Sequence, residues 1–160
     1  MIMTNPNIKG EIAELKVLGI LLSQLDNEKY DIYRPIVDIK GVDLIIRKLI
    51  DGISYYLELQ IKSRTSEAEE AYLFARLKVD ERYNYYFIFY SQPKNAEERM
   101  WLVPSTEIKY IASHNIKGDN FGTYTINDCS TKCNKYEVNM NKLSEKIDEI
   151  FEKLSTDSKI

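Results

Sequence analysis

Leu57-Glu58-Leu59-Gln60-Ile61-Lys62 alternates apolar and polar residues with a period of two. Successive side chains of a β-strand point to opposite faces, so Leu57, Leu59 and Ile61 share one face and Glu58, Gln60 and Lys62 share the other. The stretch ends a predicted strand over 54–62. Two more precede it: residues 30–37 are rich in Tyr, Ile and Val, 38–41 read as a turn, 42–46 form a short apolar strand, and 49–52 reverse the chain. Reversals this short join antiparallel neighbours, which predicts a meander. Apolar neighbours put strand 54–62 inside a sheet, where an acid, an amide and an amine in a row need partners.

On the N-terminal side, Asn5-Pro6 has the residue types that cap and open a helix, and the helix is expected to run to about Asp26. Ile8, Ile12, Leu15, Leu18, Leu22 and Leu25 recur at threes and fours, which predicts that they line the buried face. On a wheel of ~100° per residue, Glu11 lies about 40° from Leu15 and Glu14 about 100° from it. Two accounts of these acids stand open. Glu11 is a helix-start charge favoured by the macrodipole and Glu14 a solvated edge residue paired with a lysine, or one of them serves a site.

On the C-terminal side, Ser66 and Glu69 have capping-box spacing, but 71–79 alternate in polarity and predict a strand after a short loop. Residues 85–90, YYFIFY, are bulky on both parities, as a central strand covered on both faces would be. A strand over 100–103, a helix opened by Pro104-Ser105 through about 113, and a small hairpin pairing 124–126 with 136–138 follow. An amphipathic helix over 139–154 then carries Met140, Leu143, Ile147, Ile150, Phe151 and Leu154. No repeat or linker divides the chain, so one domain over 1–160 is expected.

Composition narrows the chemistry. With 44% apolar residues a real core is expected. His114 is the sole histidine, and Cys129 and Cys133 have no second pair, so a zinc cluster and histidine-based nucleophile chemistry are poorly supported. The formal charge of −3 argues against a wholly basic surface that coats nucleic acid, and leaves room for a local basic groove. No run is long enough to span a bilayer and residues 1–10 lack a secretory pattern, so a soluble, cytoplasmic protein is expected, with no membrane partner.

Asp43 is a lone carboxylate ahead of the apolar run Leu44-Ile45-Ile46. An antiparallel neighbour can bring it near Glu58 and Gln60, an oxygen-rich set suited to a hard divalent cation, with Lys62 alongside. Such a grouping suits phosphodiester hydrolysis, with Lys62 orienting or deprotonating a water and offsetting phosphate charge.

Asp43, a strand-length gap and Glu58-Leu59-Gln60-Ile61-Lys62 resemble the bipartite signature of the PD-(D/E)XK endonuclease-like superfamily. Gly10-Glu11-Ile12-Ala13-Glu14, Tyr33-Arg34-Pro35 and Gly41-Val42-Asp43-Leu44-Ile45 stand in the order of that family, so the resemblance spans 8–64. Gln60 stands where most members carry Asp or Glu. This is similar to the Gln-x-Lys variant of Mrr-like restriction endonucleases and to Holliday junction resolvase-like proteins, with Glu58 available to restore the charge. The resemblance implies an αβββαβ-type core: an α/β (α+β) fold with a central mixed sheet flanked by helices, here followed by an extra C-terminal hairpin and helix. It also implies a Mg²⁺ (or Mn²⁺) site formed by Asp43, Glu58, Gln60 and Glu14, with Lys62 catalytic and Glu11 an alternative helical acid. DNA, duplex or branched, is the implied partner; Lys9, Arg34, Lys40 and Arg64 are candidate phosphate-binding residues, and a homodimer is an expected assembly.

Three functions follow from this reading. The first is a DNA endonuclease of restriction, mobile-element or repair type. The second is a catalytically silent nuclease-fold module that binds nucleic acid or a protein. The third treats the polar row as a solvated sheet face of an unrelated interaction domain.

Overall fold

Helix α1 (Pro6–Gln24) is followed by β1 (Tyr30–Tyr33), β2 (Leu44–Ile50) and β3 (Ile53–Ser66), an antiparallel meander as the short reversals predict. The structure is a computed structural model that describes residues 6–37, 40–66, 74–127 and 131–157. Asp51 and Gly52, with φ of 51° and 78°, make the two-residue turn between β2 and β3, the twist that a tight hairpin requires. The chain continues through β4 (Phe74–Leu77), β5 (Tyr85–Pro93), β6 (Arg99–Pro104), α2 (Ile108–Ile111) and β7 (Ser113–His114). It ends with β8 (Tyr124–Asn127), α3 (Thr131–Asn134), β9 (Glu137–Val138) and α4 (Leu143–Asp157).

Six strands form the central mixed sheet in the order β1-β2-β3-β5-β6-β9, with β3 and β5 parallel. Strands β4, β8 and β7 form a second, three-stranded sheet. The fold is mixed α+β, as expected.

Each face of the central sheet has its own core. Leu57, Leu59 and Ile61 of β3 and Tyr86, Ile88 and Tyr90 of β5 pack against α1 and α4. Tyr85, Phe87 and Phe89 of β5 pack instead against Ala75 and Leu77 of β4 and Ile126 of β8. Every residue from Tyr85 to Tyr90 is buried, the outcome predicted from bulk on both parities. The parallel register pairs Glu58 with Tyr85, Gln60 with Phe87 and Lys62 with Phe89. The polar row of β3 therefore faces the second sheet, away from the helices.

Helix α1 buries the predicted Leu25 and, in part, Leu18, but otherwise a different stripe from the predicted one. Ala13, Val17, Leu21 and Leu25 are buried, Leu18 is half-buried, and Ile8, Ile12, Leu15 and Leu22 are exposed. Both sides of this helix are apolar, so periodicity alone chose the wrong side; the small Ala13 and slim Val17 let the backbone approach the sheet. Leu21→Ala is accordingly expected to lower unfolding free energy by about 2–5 kcal/mol. Leu15→Ala is expected to change it by about 0.5 kcal/mol or less; urea denaturation of the two variants checks the order.

Other boundaries differ for local reasons. Strand β1 stops at Tyr33 rather than at 37, before Arg34-Pro35, where proline lacks a donor for the ladder. The helix expected through about 113 is a 3₁₀ turn plus α2, and ends because Ala112 is extended (ψ 157°) and leads into β7. Residues 124–126 and 136–138 do not form a hairpin: β8 pairs with β4 and β7, while β9 pairs with β6. Ile126 belongs to the core beneath the second sheet and Val138 to the helix-side core, so each strand follows its buried residue. The expected Asn5 cap, the Ser66–Glu69 capping box and Cys129 fall wholly or partly outside the described residues.

Helix α4 is fastened at two places. Asp148 accepts from Lys48 Nζ at 2.6 Å and from the Tyr30 hydroxyl. Gln24 of α1 donates to the Met140 carbonyl at 2.6 Å and accepts from Ser144 N at 3.0 Å. Burial alone would raise the Asp148 pKa, but the Lys48 and Tyr30 hydrogen bonds outweigh it and hold the group below the usual carboxylate range. Among the described residues, no helix is long and apolar enough to cross a membrane.

Candidate active site

At Asp43, β2 parts from β3. Asp43 N–H donates to the Leu59 carbonyl at 2.8 Å, and the Ile61 N–H donates to Asp43 Oδ2 at 2.6 Å. The carboxylate thus takes over a ladder bond at the end of β2, which ties Asp43 to β3 on either side of Gln60. The next pair along, Leu44 with Leu59, sets that register.

Gln60 is seated by two neighbours. The Tyr85 hydroxyl donates to Gln60 Oε1 at 2.9 Å. Burial pushes the Tyr85 pKa up to about 12, despite the lowering influence of Arg82, so the hydroxyl keeps its proton at neutral pH. Asp43 and Glu58 lie close enough for their charges to act on the same hydroxyl. On the other side Gly41, at φ 73°, lies so near that an added Cβ would stand 2.6 Å from Gln60 Nε2. A left-handed backbone costs a non-glycine residue about 1–2 kcal/mol. Gly41→Ala is expected to lower stability by at least about that much and to displace the Gln60 amide, checked by urea unfolding and by loss of any Mg²⁺-dependent rise in Tm.

Glu58 has a protein cation already. The Arg82 guanidinium donates to Glu58, reaches Asp80 Oδ2 at 3.1 Å and lies 4.6 Å from the Tyr85 ring centroid. The Arg82 backbone is pinned by fully buried Ser105, whose Oγ accepts from Arg82 N–H at 3.0 Å and donates to the Arg82 carbonyl at 2.8 Å.

A cleft of about 590 Å³ opens beside these groups. Gln60, Lys62 and Tyr85 line it from the central sheet, Lys40 and Gly41 from the turn before β2, and residues 76–80 from β4 and its continuation. Four cations, Lys40, Lys62, Arg76 and Lys78, thus share one space with Asp80.

The predicted residues therefore divide. Gln60 and Lys62 line the cleft, and Asp43 and Glu58 lie near the Tyr85 hydroxyl that holds Gln60. Glu14 accepts from Arg34 at 3.2 Å and Glu11 stands 3.7 Å from the same guanidinium, both on α1, which covers the opposite face. Arg34 extends β1 one residue past the Tyr33–Ile45 pair, toward Asp43, so Glu14 is brought to the Asp43 end of the sheet. Of the four candidate phosphate-binding residues, Lys40 lines the cleft, Arg34 is committed to Glu11 and Glu14, Lys9 is exposed on α1 and Arg64 is half-buried on β3.

Tyr85, Arg82, Arg76 and Lys78 were not singled out from sequence. Alternation over 75–78 carried the signal for Arg76 and Lys78. Tyr85 and Arg82 become visible only through the parallel β3–β5 register. The donors Asp43, Glu58 and Gln60 offer carboxylate and amide oxygens, the chemistry a hard divalent cation takes. Among the described residues, no group of three or more His, Cys, Asp and Glu side chains could hold a metal ion.

No protein-family model matches the sequence, and no curated protein matches it either. Two solved structures are similar in fold. One is a bacterial homing endonuclease, 18% identical with a TM-score of 0.42, the match covering 76% of this chain and 89% of that one. The other is a Holliday junction resolvase from Archaeoglobus fulgidus, 13% identical with a TM-score of 0.39, covering 78% of this chain and 96% of that one.

Proposed function

We propose that this chain is a metal-dependent endodeoxyribonuclease of the PD-(D/E)XK type, in its Gln-x-Lys form, acting on duplex or branched DNA. The observation that carries the reading is that Gln60 and Lys62 line a cleft with several cations, with Asp43 hydrogen-bonded to Leu59 and Ile61 on either side of Gln60 and Glu58 one step along the same face. Asp43 and Gln60, with Glu58, would hold Mg²⁺ or Mn²⁺. Such an ion supplies charge neutralisation of the phosphodiester and a more acidic water.

The chain's own groups do the rest. Tyr85 holds the Gln60 amide, and Gly41 leaves room for it. Lys62 directs a water at phosphorus and meets the negative charge that builds on the phosphate oxygens. Lys40 offers a further ammonium at the cleft wall. Glu14 would join the set only by leaving Arg34, so its role as a ligand stands as a proposal tied to that release.

A second reading is favoured by one observation: Arg82 already neutralises Glu58. Under it the chain is a catalytically silent nuclease-fold module. Incubation of the purified protein with linear, supercoiled, single-stranded and branched DNA, with Mg²⁺ or Mn²⁺ and with a chelator, separates the two. Metal-dependent cleavage establishes the nuclease. No cleavage of any substrate, together with a Tm that Mg²⁺ leaves unmoved, establishes the silent module.

A further inference from the structure

What sets the cations of the cleft apart is that four of them line one space. Arg47 is paired with Asp31, Lys48 with Asp148, Arg99 with Glu137 and Lys109 with Glu81. Lys40, Lys62, Arg76 and Lys78 form no ion pair with a described residue, although the chain carries 25 acidic residues against 22 Lys and Arg. Like charges gathered in one space repel one another, and a site so built favours an anion that spans them. Asp80, the acid among the lining residues, is turned to Arg82 at 3.1 Å.

The backbone points the same way. Among the described residues, Lys40 and Asp51 are the non-glycine positions with positive φ. Asp51 is explained by its hairpin turn. Lys40, at φ 55°, lies in the longer connection between β1 and β2 and lines the cleft. Strain of this kind gathers at binding and catalytic sites. Among the described residues, β4 pairs with β8 alone, at the edge of its sheet, and Arg76, Leu77 and Lys78 line the cleft. Ala75 and Leu77 anchor it in the core while Arg76 and Lys78 are exposed.

We propose that β4 is a phosphate-gripping wall: Arg76 and Lys78 hold the backbone of a nucleic-acid strand across the cleft from Lys62, and Lys40 holds it at the rim. This deepens the nuclease reading and rests on it for the identity of the anion. It assigns the second sheet a role in substrate binding rather than in folding alone.

The test is fluorescence anisotropy with a short labelled duplex and its single strand, in chelator so that nothing is cut, over a salt series. Wild type is compared with Arg76→Ala/Lys78→Ala and with Lys117→Ala/Lys153→Ala, a control with the same charge change on exposed lysines outside the cleft. The cleft variant is expected to bind both probes more weakly and to lower the slope of log K against log salt by about one for each phosphate that is no longer neutralised. A cleft variant indistinguishable from the control, or a wild type that binds neither probe, overturns the proposal. The same proteins are then given Mg²⁺. Cleavage by a wild type whose salt slope the pair does not change keeps the nuclease and discards the wall; a lowered slope without cleavage keeps the wall and discards the nuclease.

Discussion

Lys62→Ala is expected to lower metal-dependent cleavage by about 10²- to 10⁴-fold, the range for losing a positioned proton-transfer or charge-stabilising group. Stability should change by about 0.5 kcal/mol or less, because Lys62 is half-buried in a cleft of like charges and gives up no ion pair with a described residue. Loss of cleavage by misfolding is thereby separated from loss of chemistry. Lys62→Arg sharpens the test. It keeps the charge but replaces a compact ammonium with a planar fork, so it should recover nucleic-acid binding without full cleavage. Full activity in Lys62→Ala would remove the residue from the mechanism, and with it the motif reading of β3.

The polar row of β3 was legible because a strand has a period of two, and six residues suffice to sort its faces. Burial of 85–90 was legible for a related reason: bulk on both parities leaves no solvent face. Helix α1 was not, since Ile8-Ile12-Leu15-Leu22 and Ala13-Val17-Leu21 are both apolar, and a period of 3.6 cannot rank two opposed stripes. What decided between them is closeness to the sheet, a tertiary property. The fate of 124–126 and 136–138 was hidden likewise, because each strand pairs with a partner distant in sequence.

The candidate site shows the same division. Glu58, Gln60 and Lys62 lie on β3 and Asp43 directly precedes β2, its hairpin partner, so spacing could find them. Tyr85 and Arg82 enter through the β3–β5 crossover, whose parallel register no local pattern records. Sequence could name the candidate oxygens; only the fold shows that the Glu58 carboxylate already faces a cation.

That partnership sets the second large effect. Arg82 is held in place before any ligand arrives: Ser105 fixes its backbone, Asp80 and the Tyr85 ring fix its guanidinium, and Glu58 receives its charge. Arg82→Gln leaves the Glu58 carboxylate, about a quarter exposed at 23%, without that cation. Removing one partner of a fully buried pair costs about 3–5 kcal/mol, and partial solvation of this one reduces the expected loss to about 1–3 kcal/mol. If Glu58 is a metal ligand, a divalent cation replaces what the guanidinium supplied. Mg²⁺ or Mn²⁺ should then raise the Tm of Arg82→Gln more than that of the wild type, since a ligand stabilises in proportion to its affinity for the folded state. The double variant Glu58→Gln/Arg82→Gln removes both charges, and should recover much of the lost stability while losing the extra metal response. An equal rise in wild type and Arg82→Gln would instead make the Arg82–Glu58 pair a structural clamp. Asp43 and Gln60 would then be left to hold the metal without Glu58.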